Sequence, residues 1–400
     1  MRSRFTSVAL TVLGAAALVS AQASWQDVIR NLRHPDPLVR LKSTQQLGAS
    51  GYVAAAEPVA ALLLDPDDRV QSAAIDAELG FFLIERVNGV RILGFGGAKS
   101  PAQDAFEAGP LLRAAPPAPA VVIDRLIAAM RDENARIRFD AVHALGAIAE
   151  APLPAAQANA LAEELDHYDP IVRAATARVL ARLRAAEGAG KLLAGMADSN
   201  AVVRRFSMEA LGVLGENRAV APMLDLLSRG KGDVPAQALL ALARMGHAPS
   251  RDEFRRHLTD RNPEMRRAAA EGLGRVGDSE SLEALRSLQG GDRAQDVKLA
   301  AAFAVDRLGD AQTHVLAAHM ILRDYGAQAR DYLLEIGRPA LAGVRATLDV
   351  AKDSRHRADL VHLIGFIGTR DEIGWVESFL GDRDERVRRA AADAIARLKR

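Results

Sequence analysis

Asp260-Arg261-Asn262-Pro263-Glu264-Met265-Arg266-Arg267-Ala268-Ala269-Ala270-Glu271-Gly272-Leu273-Gly274 decides how this chain folds. Asp260 to Pro263 is turn chemistry. Pro263 opens a helix, where its missing N–H costs little. The helix runs from Glu264 to about Val276 and is stopped by Gly277 in the C-terminal capping position. The next segment, Ser279–Leu288, carries Leu282, Leu285 and Leu288 at helical spacing. The unit is two short antiparallel helices, and neither buries its apolar face alone.

The same pattern returns at Asp198–Gly212 and Asp382–Ala396, and a fixed period marks a solenoid. Anchored on the Arg of its Val-Arg pair or the replacement, the series is Arg40, Gln71, Arg138, Arg173, Arg204, Ala236, Arg266, Lys298, Arg330, Arg357 and Arg388. Most steps are 30–32 residues. The step from Gln71 to Arg138 is longer and holds an insertion over 82–120. The division expected is a signal peptide over 1–23, repeats over 24–81, an inserted Gly/Pro-rich segment over 82–120, and the main array over 121–400.

Within the anchor helix, the third residue after the anchor is small (Ala141, Thr176, Ser207, Ala269, Ala391), letting neighbouring units approach closely. The seventh is apolar (Leu47, Leu145, Leu180, Leu211, Leu273, Ile395) and the fourth (Val142, Met208, Leu240, Ala392) joins the same face. The first and fifth positions read as a solvated stripe of i,i+4 ion pairs, Arg205/Glu209, Arg267/Glu271 and Arg389/Asp393. Two units break it with Phe139/His143 and Leu299/Phe303. These four are candidate partner contacts, or residues covered by a neighbouring unit.

The pattern resembles the HEAT-repeat family, in its short variant with Asp and Arg in the inter-helix turn (the PBS-lyase-type repeats), over residues 25–80 and 121–400. The resemblance implies an all-α, right-handed α-α superhelical solenoid of about eleven helix pairs with one insertion. It puts the anchor helices on the concave surface. It also implies a structural ladder, carried here by Asp132, Arg138, Asp198, Arg204, Asp260, Arg266, Asp382 and Arg388. Arg40 and Arg173 match with the Asp displaced to Asp36 and Asp169. At Gln71, Ala236 and Lys298 the ladder is expected to be weak or broken.

No catalytic constellation is visible. The nine histidines include no i,i+4 pair, and the chain has no His-Glu dipeptide, the iron-holding pair of the HEAT-like deoxyhypusine hydroxylases. Gly94 to Ser100 imitates a phosphate loop, but Leu93 and Ala98 stand where its glycines belong. With no cysteine there are no disulfides and no thiol chemistry. No cofactor is expected. The formal charge of +1 offers no basic footprint for nucleic acid and counts against the HEAT-like DNA glycosylases.

Arg2, Arg4, the apolar run Val8–Val19 and Ala21-Gln22-Ala23 read as a secretory signal, with a mature start near Ser24. That implies an exported, periplasmic or secreted protein without an integral membrane segment after cleavage. It argues against the phycobilin lyases, short-repeat relatives that work on cytoplasmic antenna proteins. In the insertion, Asn88-Gly89 is a hairpin signal, and Pro116, Pro117 and Pro119 make a stiff linker. Phe95 and Phe106 are further candidate contacts on a flap over the groove. The function expected is a non-enzymatic scaffold holding a protein or extended peptide along the concave face. The alternative is an enzyme, or enzyme subunit, with its site under the insertion.

Overall fold

The computed structural model describes residues 25–83, 100–114, 116–322 and 324–400. The proposed signal, Phe95, the Asn88-Gly89 turn and the Gly94–Lys99 stretch lie outside the described residues. The fold is an all-α solenoid of helical hairpins. Its chain divides into two compact units. Unit 1 is Met1–Ala105 with Ala118–Ile148; unit 2 is Phe106–Pro117 with Ala149–Arg400.

In unit 1, helix Pro37–Ser50 packs on Asp68–Phe82, which packs on Ala135–Ile148. Asp68–Phe82 prolongs its repeat helix to Phe82, but Leu83 is already extended. Its Glu78 is fully buried and, among the described residues, its carboxyl accepts no hydrogen bond. Burial pushes that carboxyl well above the ordinary glutamate range.

In unit 2, anchor helices Pro170–Arg182, Ala201–Leu214, Val234–Met245, Pro263–Arg275 and Gln295–Arg307 stack in order. Local chemistry sets their ends. Asn262 accepts the Glu264 amide at 2.9 Å, Pro263 is the first helical residue, and Gly277 turns the chain at φ +69. The outer helix of this repeat starts as a 3-10 turn, Ser279–Ser281, and continues as Leu282–Gly291 with Leu285 fully buried.

Thr176, Ser207, Ala269 and Ala391 are buried, as are Leu180, Leu211, Leu273 and Ile395. The fourth position is mixed: Met208 is buried, Leu240 half-buried and Ala392 exposed. Close approaches between successive anchor helices are made eight residues after the anchor. A Cβ added to Gly274 would stand 2.6 Å from the Ala304 Cα, and one on Gly365 2.7 Å from the Ala394 Cα. Glycine there lets backbones touch, a role the sequence reading placed five residues earlier.

The Gly/Pro-rich insertion is partly helical: Pro101–Ala108 is an α-helix and Pro110–Leu112 a 3-10 turn. Phe106–Pro117 is built into unit 2. At the far end of unit 2, Arg400 pairs with Glu150 at 2.9 Å, so the terminal helix meets the residues that open the array.

Candidate functional site: the charged inner face of unit 2

The ladder runs between repeats. Arg266 donates through Nη1 to the carbonyls of Asp260 and Arg261 in its own turn, at 2.8 and 3.1 Å. Its Nε and Nη2 then fork the carboxylate of Asp292, in the next repeat, at 2.7 and 2.8 Å. Arg173 does the same to Asp198, and Arg40 to Asp65. Arg138, Arg204 and Arg388 grip the turn carbonyls of Asp132, Asp198 and Asp382. Arg357 reaches Asp382 at 2.5 Å.

Gln71 does not break the ladder, because its amide donates to Asp132 at 2.8 Å. Ala236 leaves a gap, and Asp260 pairs there with His257 at 3.1 Å. Asp36 and Asp169 cap their helices instead, accepting the amides of Leu38 and Ile171.

The stripe expected to be solvated is where the anchor helices of unit 2 build a site. Glu271 is 2% exposed. Its carboxylate pairs with Arg267 at 3.0 Å and Arg275 at 2.8 Å, and accepts the Tyr332 hydroxyl at 2.6 Å. Burial pushes the Glu271 carboxyl up, but Arg275, Arg267 and Arg244 outweigh it and hold it at about 2. Tyr332 goes the other way, raised by burial and by Glu271. Arg244 pairs with Glu209 at 2.5 Å, and Arg275 also with Glu335 at 2.8 Å. Arg389 pairs with Glu385 and not with Asp393, which takes His362 at 2.5 Å and Arg397 at 3.0 Å.

The groups around Glu271, from Glu209 and Arg244 to Tyr332 and Glu335, line a cavity of about 710 Å³ together with Phe106, Arg178, Arg182 and Arg330. Arg178 and Arg182 stand one turn apart on Pro170–Arg182 and stack on the Phe106 ring, 4.8 and 3.6 Å from its centroid. Burial presses the Arg182 guanidinium down to about 9. Helix Pro101–Ala108 ends here, and its last carbonyls have no partner further along the helix. Arg182 donates to the Phe106 carbonyl and Arg330 to that of Ala108. Arg397 donates to the Arg113 carbonyl, and Arg113 to that of Ala149 at 2.8 Å. The segment is thus held along unit 2 through its main chain.

Most candidate contacts are not surface groups. His143 is 3% exposed and its Nδ1 lies 2.7 Å from the Phe139 carbonyl, while Phe139 is half-buried against it. Leu299 and Phe303 are buried; Phe303 stacks on Tyr332 at 4.5 Å, with the Arg275 guanidinium over its ring at 4.9 Å. Phe106 is 2% exposed, an internal anchor rather than an exposed ring. For Phe303 and Phe106 the covering groups come from other helices. Sequence reasoning passed over Arg178, Arg182, Arg244, Arg275 and Tyr332; their signal was a run of charge on one helix face in successive repeats. Among the described residues, no cluster of His, Asp and Glu has metal-site geometry, and no helix is long and apolar enough to cross a membrane.

The comparisons with known proteins come down to the repeat. No curated protein sequence matches the chain. Among solved structures, an engineered protein aligns at 17% identity and a TM-score of 0.39, over 94% of this chain and 99% of that one. The complex of CpcE and CpcF of phycocyanin lyase from Nostoc sp. PCC7120 aligns at 18% identity and a TM-score of 0.38, over 71% of this chain and 97% of that one. The family model for HEAT repeats matches residues 158–234 and 220–306, the stretch that contributes Arg178, Arg182, Glu209, Arg244 and Glu271 to the cavity. HEAT repeats therefore occupy residues 158–306 of this chain, and helical hairpins with the same arginine-to-aspartate pairing stand on both sides of that stretch.

Proposed function

We propose that this protein is a non-enzymatic, exported scaffold that holds a protein or an extended peptide segment against the inner face of its repeats. One observation carries the reading: Arg182, Arg330 and Arg397, from three separate helices, each donate to a main-chain carbonyl of the Phe106–Arg113 segment. Guanidinium donors aimed at carbonyls hold a chain by its backbone, whatever its side chains. Rigid helices present them, so binding loses little to reorganisation.

The test places a photo-crosslinking amino acid at Val213 or Gln328, both lining the cavity, and at Leu224 on an outer helix. Protein adducts are expected from the inner positions in an extract of the native host. Equal yields from all three, or none, would end the scaffold reading. Export is tested separately by sequencing the N-terminus of the mature protein, which is expected to start near Ser24.

A further inference from the structure

We infer that the cavity beside Phe106 receives a carboxylate-bearing peptide, with Arg178 and Arg182 taking the acid. The inference rests on the scaffold reading and names the class of its ligand.

Charge around the cavity is unevenly matched. Glu271 and Glu335 neutralise Arg267 and Arg275, Glu209 pairs with Arg244, and Asp331 with Arg330. Arg178 and Arg182 close no ion pair among the described residues; Glu209 and Glu107 act on Arg178 only through space. Asp331 likewise acts on Arg182 only through space, so two cations drawn partly out of water have acids near them but none in contact, and an incoming carboxylate that the forks can grip lowers that cost. Being one helical turn apart, the two guanidinium forks are placed to share one acid.

Two observations narrow the class. The cavity, about 710 Å³, is far larger than an inorganic ion needs, and Arg182 and Arg330 already bind main-chain carbonyls on its wall. A peptide uses both features. In addition, Glu209, Glu271 and Glu335 share the space, and they repel a phosphate dianion more strongly than a single carboxylate.

The experiment measures fluorescence anisotropy of three labelled peptides, alternating Glu/Ala, Gln/Ala and Lys/Ala, with the full mature chain. The Glu peptide is expected to bind, with the Gln peptide weaker by about tenfold or more and the Lys peptide weaker still. Arg178→Gln with Arg182→Gln should remove the preference for Glu. Arg178→Lys with Arg182→Lys keeps the charge without the forks and should keep only part of it. Arg286→Gln, on an outer helix and paired with Asp310, should change nothing. Circular dichroism confirms that each variant is folded. If the Gln peptide binds as well as the Glu peptide, or the double variants bind like wild type, the acid site is wrong while the scaffold survives. If no peptide binds, both readings fall. Displacement of the Glu peptide by inorganic phosphate but not by acetate would overturn the ligand class.

Discussion

Arg266 grips Asp292 in the next repeat, not only the turn of its own, through two parallel hydrogen bonds of 2.7 and 2.8 Å. The Asp292 carboxylate also accepts the Ala294 amide at 2.8 Å, so one side chain shapes the incoming turn and receives the outgoing arginine. A repeat is thereby tied to its neighbour at the point where the chain reverses.

Arg266→Ala should lower stability by about 2 kcal/mol, because it strands a buried carboxylate and two turn carbonyls. Arg266→Lys should recover less than half, since an ammonium cannot form the fork. Urea denaturation of the Arg266/Asp292 double-mutant cycle reads the coupling. A lysine variant as stable as wild type would show that the fork contributes nothing.

Acid should loosen the ladder. Arg266 holds Asp292, and Arg173 holds Asp198, below the usual aspartate range. A depressed folded-state pKa gives stability that is present above the unfolded value, about 4, and is lost as pH falls through the folded values. The urea midpoint should therefore drop below about pH 4, and Asp292→Asn should shrink that drop. An unchanged acid limb in Asp292→Asn would contradict the assignment.

Glu78 has the opposite sign. Its folded-state pKa is raised, so stability is greatest below the unfolded value of about 4.5 and falls as pH rises towards the folded value, by about 1.4 kcal/mol per pH unit. Glu78→Gln should be more stable than wild type at neutral pH, with a gap that closes towards pH 4.5. Parallel pH profiles for the two proteins would refute a buried neutral acid.

Glu271→Gln leaves Arg267 and Arg275 facing each other without their shared anion. The expected cost is about 3 kcal/mol, against about 1 kcal/mol for Tyr332→Phe, which removes one hydrogen bond. Thermal unfolding ranks the two. Equal losses would mean that the carboxylate charge is not what organises the cavity.

Gly274→Ala should destabilise by about 1–3 kcal/mol although alanine is the better helix former, because the new methyl would stand 2.6 Å from the Ala304 backbone. Gly290→Ala, where nothing lies within 4 Å, should be neutral or slightly stabilising. Chemical denaturation of both variants separates contact from propensity.

Reading the chain as text found the repeat units but misjudged one face of them. Leu273 and Ala269 were legible as core because their spacing on a single helix decides which side they share. Glu271 and Arg267 read as a surface ion pair for the same reason: within one helix they look outward. Only the helix carrying Glu335 and Tyr332, about sixty residues later, turns that face into an interior. Leu299 and Phe303 read either as partner contacts or as residues covered by a neighbouring unit; both are buried, and Tyr332 and Arg275 lie against the Phe303 ring. Phe106 stood in a stretch with no repeat pattern, so nothing local announced that two arginines would pack on its ring.

By itself the sequence determined the hairpin, its caps, its period and its apolar seam, because each depends on residues within about thirty positions of one another. Tertiary structure decided which charges are buried, which arginines close no ion pair among the described residues, and where Phe106–Arg113 lies. Those outcomes depend on distances between repeats far apart in the chain, and the local pattern that encodes a helix is the same whichever neighbour the helix meets.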